Sequence, residues 1–392
     1  MEKKFKFIDL FCGIGGFHQA LSDLGGECVF ASDIDKHCQD VYERNYGLRP
    51  VGDITKVDAA DIPEFDVLCG GFPCQSFSLA GKQLGFDDPT RGTLFFEIMR
   101  IVYYHHPKYV FLENVRNLLN HNDGNTWRVI HDCLDEAGYN VNPLPILFSP
   151  HYIGIPQHRE RVFIIAIRKD IGTPPDFTFS ECAWEMQDIF QSDDEIQDIE
   201  QYKLKPEVVN ILDGWNELIQ NINTDVVPCK IWAKYLCDPE NVVFNKEPSD
   251  SQMRTIERNV ILYMENRDFI DNWLVKMNKN PLFRTCWNQL EWNVKDKSVR
   301  DIWKCYMQRR PTGIRVRDSG CFPTLVAMHG QIPIVGSKRR YLTPRECARL
   351  QSFPDSFIMD DNIKQAYKQF GNSVNVECVK LFAMMMLEGL DI

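Results

Sequence analysis

The chain has 392 residues, 44% hydrophobic and 25% charged, the balance of an ordinary globular protein with room for one large domain and a smaller one. No apolar run approaches 18 residues, which argues against a membrane-spanning helix, and fourteen cysteines without one C-x-x-C pair argue against a zinc framework. A net charge of −11 disfavours nucleic acid as a partner, yet residues 171–240 hold 15 acids against 4 bases and residues 241–350 hold 20 bases against 11 acids, so a basic surface can exist on an acidic protein.

Short apolar runs alternate with helical patterns from residue 5 to about 170, the pattern of a doubly wound α/β sheet. Residues 6–11 predict a strand, 17–24 a helix, 27–31 a second strand and 36–45 a second helix. Strands follow at 67–69, 109–112, 141–147 and 162–167, with helices at 93–105 and 125–137. From about residue 173 prolines, acids, tryptophans and asparagines mix without a regular beat. Thr343-Pro344-Arg345-Glu346 then reads as a capping box with proline at the first helical position, and residues 374–387 as an amphipathic helix. The expected division is a catalytic and cofactor-binding domain at 1–172, a separate domain at 173–335 and a returning segment at 336–392. The N-terminus runs straight into the first strand with no signal-peptide core, and scattered thiols suit a reducing compartment, so a cytoplasmic protein is expected.

The first strand ends in Phe11-Cys12-Gly13-Ile14-Gly15-Gly16, a glycine turn that lets a ligand approach the backbone closely. Its spacing is not the dinucleotide G-x-G-x-x-G, and no lysine of the Walker type follows. An acid, Asp33 or Asp35, ends the second strand about 20 residues later, where a ribose hydroxyl pair is held. Asp53 and Ile54 stand at the next crossover, placed to hold an adenine ring. That order points to an adenosine-containing cofactor, S-adenosylmethionine before NAD or ATP. Cys74 follows the strand at 67–69 on a turn opened by Gly70, Gly71 and Pro73, where a thiol meets a cleft rather than a core.

Six segments together resemble the DNA (cytosine-5)-methyltransferase family of bacterial restriction-modification type. They are the glycine turn, Gly71-Phe72-Pro73-Cys74-Gln75-Ser76-Phe77-Ser78, Glu113-Asn114-Val115, Gln157-His158-Arg159-Glu160-Arg161, the run from Arg345 to Pro354, and Gln369-Phe370-Gly371-Asn372-Ser373-Val374. All stand in the family's order, within residues 5–168 and 339–376. The resemblance implies a Rossmann-like methyltransferase sheet, and a target-recognition domain where the composition breaks. It implies methyl transfer from S-adenosylmethionine, leaving S-adenosylhomocysteine, to carbon-5 of a flipped cytosine in double-stranded DNA. Catalysis falls on Cys74, which adds to carbon-6, on Glu113, which serves N3, and on Arg159 and Arg161, one of which holds the cytosine carbonyl or positions the nucleophile, with Arg161 the choice for that. The cofactor falls to Asp9, Phe11, Gly13, Gly15, Gly16, Asp33, Ile34, Asp53, Ile54, Pro73, Leu94, Asn372 and Ser373. Ile34 departs from the large aromatic many members place against the adenine.

Lys82 and Arg91 lie in a polar loop after Cys74 and are expected on DNA phosphates. Arg309, Arg310 and Arg315 belong to the most basic stretch of the chain and are expected on DNA, by phosphate or by guanine. A monomer paired functionally with a restriction endonuclease is the expected setting, with no membrane role. A tRNA cytosine-5 methyltransferase and a catalytically silent DNA-binding relative are the alternatives.

Overall fold

The computed structural model describes residues 5–73, 94–177, 188–244 and 246–387. The chain divides into two compact units, Met1–Ile189 with Cys347–Ile392, and Phe190–Glu346.

The first unit is built on a seven-stranded sheet. Its strands are β1 (Phe5–Leu10), β2 (Gly26–Ser32), β3 (Val67–Gly71), β4 (Tyr109–Val115), β5 (Tyr139–Val141), β6 (Ile146–Phe148) and β8 (Arg161–Arg168), with a two-residue strand β7 (Gln157–His158) between the last two. The order is β2-β1-β3-β4-β8-β5, and β6 also pairs with β8. β2, β1, β3 and β4 run parallel, while β8 is antiparallel to β4, and β5 and β6 are antiparallel to β8. Helices α1 (Gly16–Asp23), α2 (Lys36–Tyr46), α3 (Leu94–His105) and α4 (Asn125–Glu136) make the crossovers. Strands covered on both faces must be apolar on both, and β4 is buried at every position but its last. Ile8, Leu68, Val110, Leu112 and Ile164 join Ile98 and Ile101 of α3 in one core.

The single strand expected over 141–147 is two strands. Pro143 and Pro145 lie between them, and a residue without a backbone N–H cannot donate to a ladder. The chain leaves β1 to one side for β2 and to the other for β3. Such a reversal opens a crevice beyond the C-terminal ends of the parallel strands.

The second unit carries a six-stranded sheet of β9 (Lys230–Trp232), β10 (Gln289–Asn293), β11 (Tyr306–Arg310), β12 (Gly313–Arg317), β14 (Ile334–Val335) and β15 (Arg340–Tyr341), with β13 (Phe322–Pro323) outside it. The order is β15-β14-β11-β12-β10-β9. Helices α5 (Pro206–Asn221), α6 (Asp250–Glu265) and α7 (Arg267–Met277) contribute to its aromatic core. Trp215 and Trp273 approach to 5.1 Å between ring centroids, and Trp273 meets Phe283 edge-on at 5.5 Å.

The unit borders fall later than the break in composition. After β8 the chain still packs on the first unit, where Phe177 meets Phe382. At the other end β14 and β15 continue the second sheet past residue 335, and only then does α8 (Pro344–Leu350) lead back. Thr343 and Glu346 form the capping box there. The Glu346 N–H donates to Thr343 Oγ1 at 3.1 Å, and the Thr343 N–H donates to Glu346 Oε2 at 2.9 Å. Helices α9 (Ile363–Asn372) and α10 (Val376–Leu387) close the first unit, α10 against α1. No helix among the described residues is long and apolar enough to cross a membrane.

Candidate active site

A cavity of about 570 Å³ opens in the first unit at the ends of β1, β2, β3 and β4. It lies where the strand order reverses, and its size suits a small organic ligand. It draws on both ends of the chain, since Lys368, Gln369 and residues 371–374 line one wall.

One part is built by the glycine turn and the acids after β2. Phe11 turns the chain with φ at 55°, a left-handed value uncommon outside glycine. The Gly13 N–H donates to Asp33 Oδ2 at 2.8 Å, and the Asp35 N–H donates to Asp33 Oδ1 at 2.8 Å. Each oxygen of that carboxylate keeps a lone pair for a ligand. Burial pushes the Asp33 carboxyl up, and the two backbone donors oppose that shift. Gly16 must be glycine, because a Cβ there would stand 2.5 Å from Val374 Cγ2. Ile34 lines the cavity and is 77% exposed, so it presents apolar surface to the opening, while Ile54 is buried. Asp53 accepts from the Thr55 N–H at 3.1 Å and the Thr55 hydroxyl at 2.8 Å, bonds that hold its carboxyl below the usual range. Pro73, Leu94, Asn372 and Ser373 complete this lining.

Two residues expected here do not line the cavity. Asp9 is fully buried behind the turn, near His18 and Tyr42, and burial raises its carboxyl well above the usual value. Gly15 adopts φ of 86°, and a Cβ on it would lie 2.2 Å from the Tyr46 ring, so packing requires the glycine.

The other part belongs to β4 and β8. Glu113 pairs in register with Gly71 on one side and Phe163 on the other, which sets its side chain at the strand's C-terminal end. Arg161 Nε stands 3.0 Å from Glu113 Oε1. Burial raises the Glu113 carboxyl, against the lowering pull of Arg161 and then Arg159. Arg159 also lines the cavity and is near enough to Glu113 to lower its carboxyl. It is 2% exposed, and its Nη2 donates to the carbonyls of Gly371 at 3.1 Å and Ser373 at 2.8 Å. It therefore fastens the returning segment to the β8 side of the cavity.

Cys74, Lys82 and Arg91 lie outside the described residues. Pro73, the residue before Cys74, lines the cavity. Asn114 secures that exit: its Nδ2 donates to Phe72 O at 2.9 Å, and its Oδ1 accepts from the Val115 N–H at 2.8 Å. Sequence reasoning gave Asn114 no role, although it stands inside a quoted motif. Lys368 was missed altogether. It lines the cavity and reaches Asp35 Oδ2 with Nζ at 2.7 Å. No local pattern marks it, because its partner is 333 residues away.

In the second unit, strand pleating separates the three arginines expected on DNA. Arg310 pairs with Gly313 and Gln308 with Arg315, so Arg310 and Arg315 share a face, while Arg309 pairs with Ile314 on the other. Arg309 lies against Gly330, where an added Cβ would be 2.6 Å from its Nη2.

Comparison with known proteins agrees with this geometry. The chain is 34% identical to the type II methyltransferase M.HhaI of Haemophilus parahaemolyticus, over 96% of this chain and 93% of that one. It is 34% identical to the type II methyltransferase M.HpaII of Haemophilus parainfluenzae, over 100% of this chain and 91% of that one. Among solved structures, the S. pombe Dnmt2 methyltransferase shares the fold at a TM-score of 0.51 and 20% identity, covering 99% of this chain and 100% of that one. The model of the C-5 cytosine-specific DNA methylase family matches residues 5–387. The chain belongs to that family, a family of S-adenosylmethionine-dependent DNA (cytosine-5)-methyltransferases.

Proposed function

We propose that the chain methylates a cytosine flipped from double-stranded DNA, with Cys74 as nucleophile and Glu113 as the acid at N3. The observation that carries this reading is a buried carboxyl, raised by its surroundings, held 3.0 Å from an arginine in the cavity that also contains Asp33 and Ile34. The cofactor fits the other part of that cavity. Ile34 offers apolar surface to an adenine, Asp33 has lone pairs for ribose hydroxyls, and Gly13 leaves open space, with nothing within 4 Å of where its Cβ would stand. Bound there, the cofactor supplies an electrophilic methyl group.

The residues of the chain do the rest. Carbon-5 of cytosine is a weak nucleophile. Addition of the Cys74 thiolate to carbon-6 forms a carbon–sulfur bond and pushes electrons toward carbon-5 and N3. Glu113, its proton affinity raised by burial, donates to N3 and prevents charge from being stranded on a desolvated ring. Arg161 orients Glu113 and holds the cytosine carbonyl. Carbon-5, made electron-rich in this way, takes the methyl group as the methyl–sulfur bond breaks and S-adenosylhomocysteine is left. Loss of the carbon-5 proton to solvent then expels the thiolate, and N3 returns its proton to Glu113. Arg159 is a positioning residue. The second unit serves as the target-recognition domain, and Lys82 and Arg91 are assigned to DNA phosphates.

We assign the chain, on the same grounds, to the cytoplasm of a bacterium, as a monomer whose methylation protects DNA from a cognate endonuclease. Bisulfite sequencing of plasmid from an expressing host tests the reading. Protected cytosines at one short recurrent site are expected, and a plasmid without protected cytosines would overturn it.

A further inference from the structure

The sheet of the second unit has one apolar and one polar face. Leu290, Met307, Ile314 and Val316 are fully buried in the aromatic core. The residues between them, Glu291, Gln308, Arg310, Arg315 and Arg317, point the other way. On that face Glu291 and Arg315 are direct cross-strand partners. Glu291 is 7% exposed, although a carboxylate at a sheet position is costly to bury unless its bonds are made. Its bonds are made, by few groups. Thr312, in the β11–β12 turn, donates its hydroxyl to Oε1 at 2.8 Å. Arg315 donates to Oε2 from Nε at 2.7 Å, and its Nη2 lies 2.7 Å from the same oxygen. Burial pushes the Glu291 carboxyl up, but the bonds from Thr312 and Arg315 and the charges of Arg315 and Arg310 more than offset it. The group stays ionised below the usual carboxylate range.

A guanidinium has two edges that can bond a planar acceptor pair. Glu291 occupies the Nε–Nη2 edge of Arg315. The end-on edge, formed by Nη1 and the outer hydrogen of Nη2, has no hydrogen-bond partner among the described residues, and the side chain is 32% exposed. An arginine held in this way has lost its torsional freedom before any ligand arrives. Its remaining donors match the O6 and N7 acceptors of guanine in the major groove. Phosphate capture needs no such fixing, because a flexible point charge serves as well.

We propose that Arg315 reads a guanine of the methylation target through its end-on edge, and that Glu291, itself fixed by Thr312, is the residue that positions it. This inference rests on the reading of the second unit as the target-recognition domain. It adds that the recognised sequence contains a guanine whose identity is fixed by this pair.

The test uses the full-length protein and a panel of duplexes in which every position of its methylation site is varied in turn. A further duplex set carries 7-deazaguanine at each guanine, which removes only the N7 acceptor. Arg315→Lys keeps the charge and loses the fork. It is expected to lower discrimination at one guanine by roughly 10- to 100-fold and leave discrimination at the other positions intact. Glu291→Gln should relax the same position, and 7-deazaguanine there should penalise wild type but not Arg315→Lys. The salt dependence of duplex binding should keep its slope, because no phosphate contact is lost. Unchanged discrimination at every position would overturn the proposal. So would a uniform loss over all sequences with a shallower salt slope, which marks a phosphate contact. A wild-type protein that methylates no duplex would instead overturn the enzymatic reading beneath it. Should Glu291→Gln fail to fold, Arg315→Lys and the deaza substitution still decide the matter.

Discussion

Arg161 Nε lies 3.0 Å from Glu113 Oε1, across two antiparallel strands that end at the same cavity. The arginine lowers the carboxyl's proton affinity, but burial raises it more, and the net shift is upward. A carboxyl whose proton affinity is raised is protonated over a wider pH range than a free one, and a cytosine ring under thiolate attack needs a donor at N3.

Glu113→Gln keeps the shape and can still donate a hydrogen bond, but it cannot give up a proton in the working pH range. The kcat is expected to fall at least about a hundredfold, with cofactor and duplex affinity little changed. In wild type the raised pKa places the active, protonated form at lower pH, so kcat should decline as pH rises through the Glu113 value. The mutant should lack that limb. Hydrogen exchange at cytosine carbon-5 should slow in parallel. Full exchange without methyl transfer would show that Glu113 acts after addition.

Asp33→Ala should raise the cofactor KM more than it lowers kcat, since ribose contacts are made equally in ground and transition states. Lys368→Ala should shift KM in the same direction and by less, because it acts through Asp35 and the turn that carries Asp33. Steady-state kinetics at saturating duplex measure both, and a pure kcat loss would place either residue elsewhere.

Arg159→Met removes the donor to Gly371 O and Ser373 O inside a buried site. The Gly371 carbonyl loses its donor and Ser373 O keeps only the longer bond from Gln351 Nε2 at 3.3 Å, which should cost about 1–3 kcal/mol of stability. Because the stranded segment forms a cavity wall, the cofactor KM should rise as well. Urea denaturation with and without S-adenosylhomocysteine tests both effects. The ligand should recover less stability in the mutant than in wild type.

Trp215→Ala should destabilise the second unit by about 3–5 kcal/mol. The indole is fully buried, contacts Trp273, and donates from Nε1 to Trp287 O at 2.9 Å. Near-ultraviolet circular dichroism should show an early transition, with cofactor affinity held within about twofold. A loss of cofactor affinity of the same size would mean that the two units unfold as one.

Much of the first unit is legible in the sequence because its signals are local. Apolar runs mark β1 to β4, a glycine turn marks the start of α1, and Thr343 with Glu346 marks α8. Strand-end acids such as Asp33 and Glu113 can be placed from the strand that precedes them. What escapes is long-range or directional. The spacing of Arg159 and Arg161 suggests a shared face, but it cannot say that Arg161 reaches Glu113 while Arg159 also bonds carbonyls more than 200 residues away. Nor can it find Lys368 beside Asp35. In the second unit the helices carry local signals that sequence reasoning passed over: Val208, Ile211, Leu212, Trp215, Leu218 and Ile219 keep helical spacing behind Pro206, and Ser249 with Gln252 caps α6. The basic stretch was visible, but pleating and pairing register decide that Arg315 meets Glu291 while Arg309 faces the other way.

The most direct test of the account is a duplex carrying 5-fluorocytosine at the target cytosine, incubated with S-adenosylmethionine and the full-length protein. Fluorine at carbon-5 cannot leave as a proton, so the thiol adduct is trapped. A stable covalent complex is expected, with the modified peptide mapping to Cys74, and Cys74→Ser should form none while still binding duplex. Trapping through any other cysteine, or methylation of ordinary duplex by Cys74→Ser above about 1% of the wild-type rate, would contradict it.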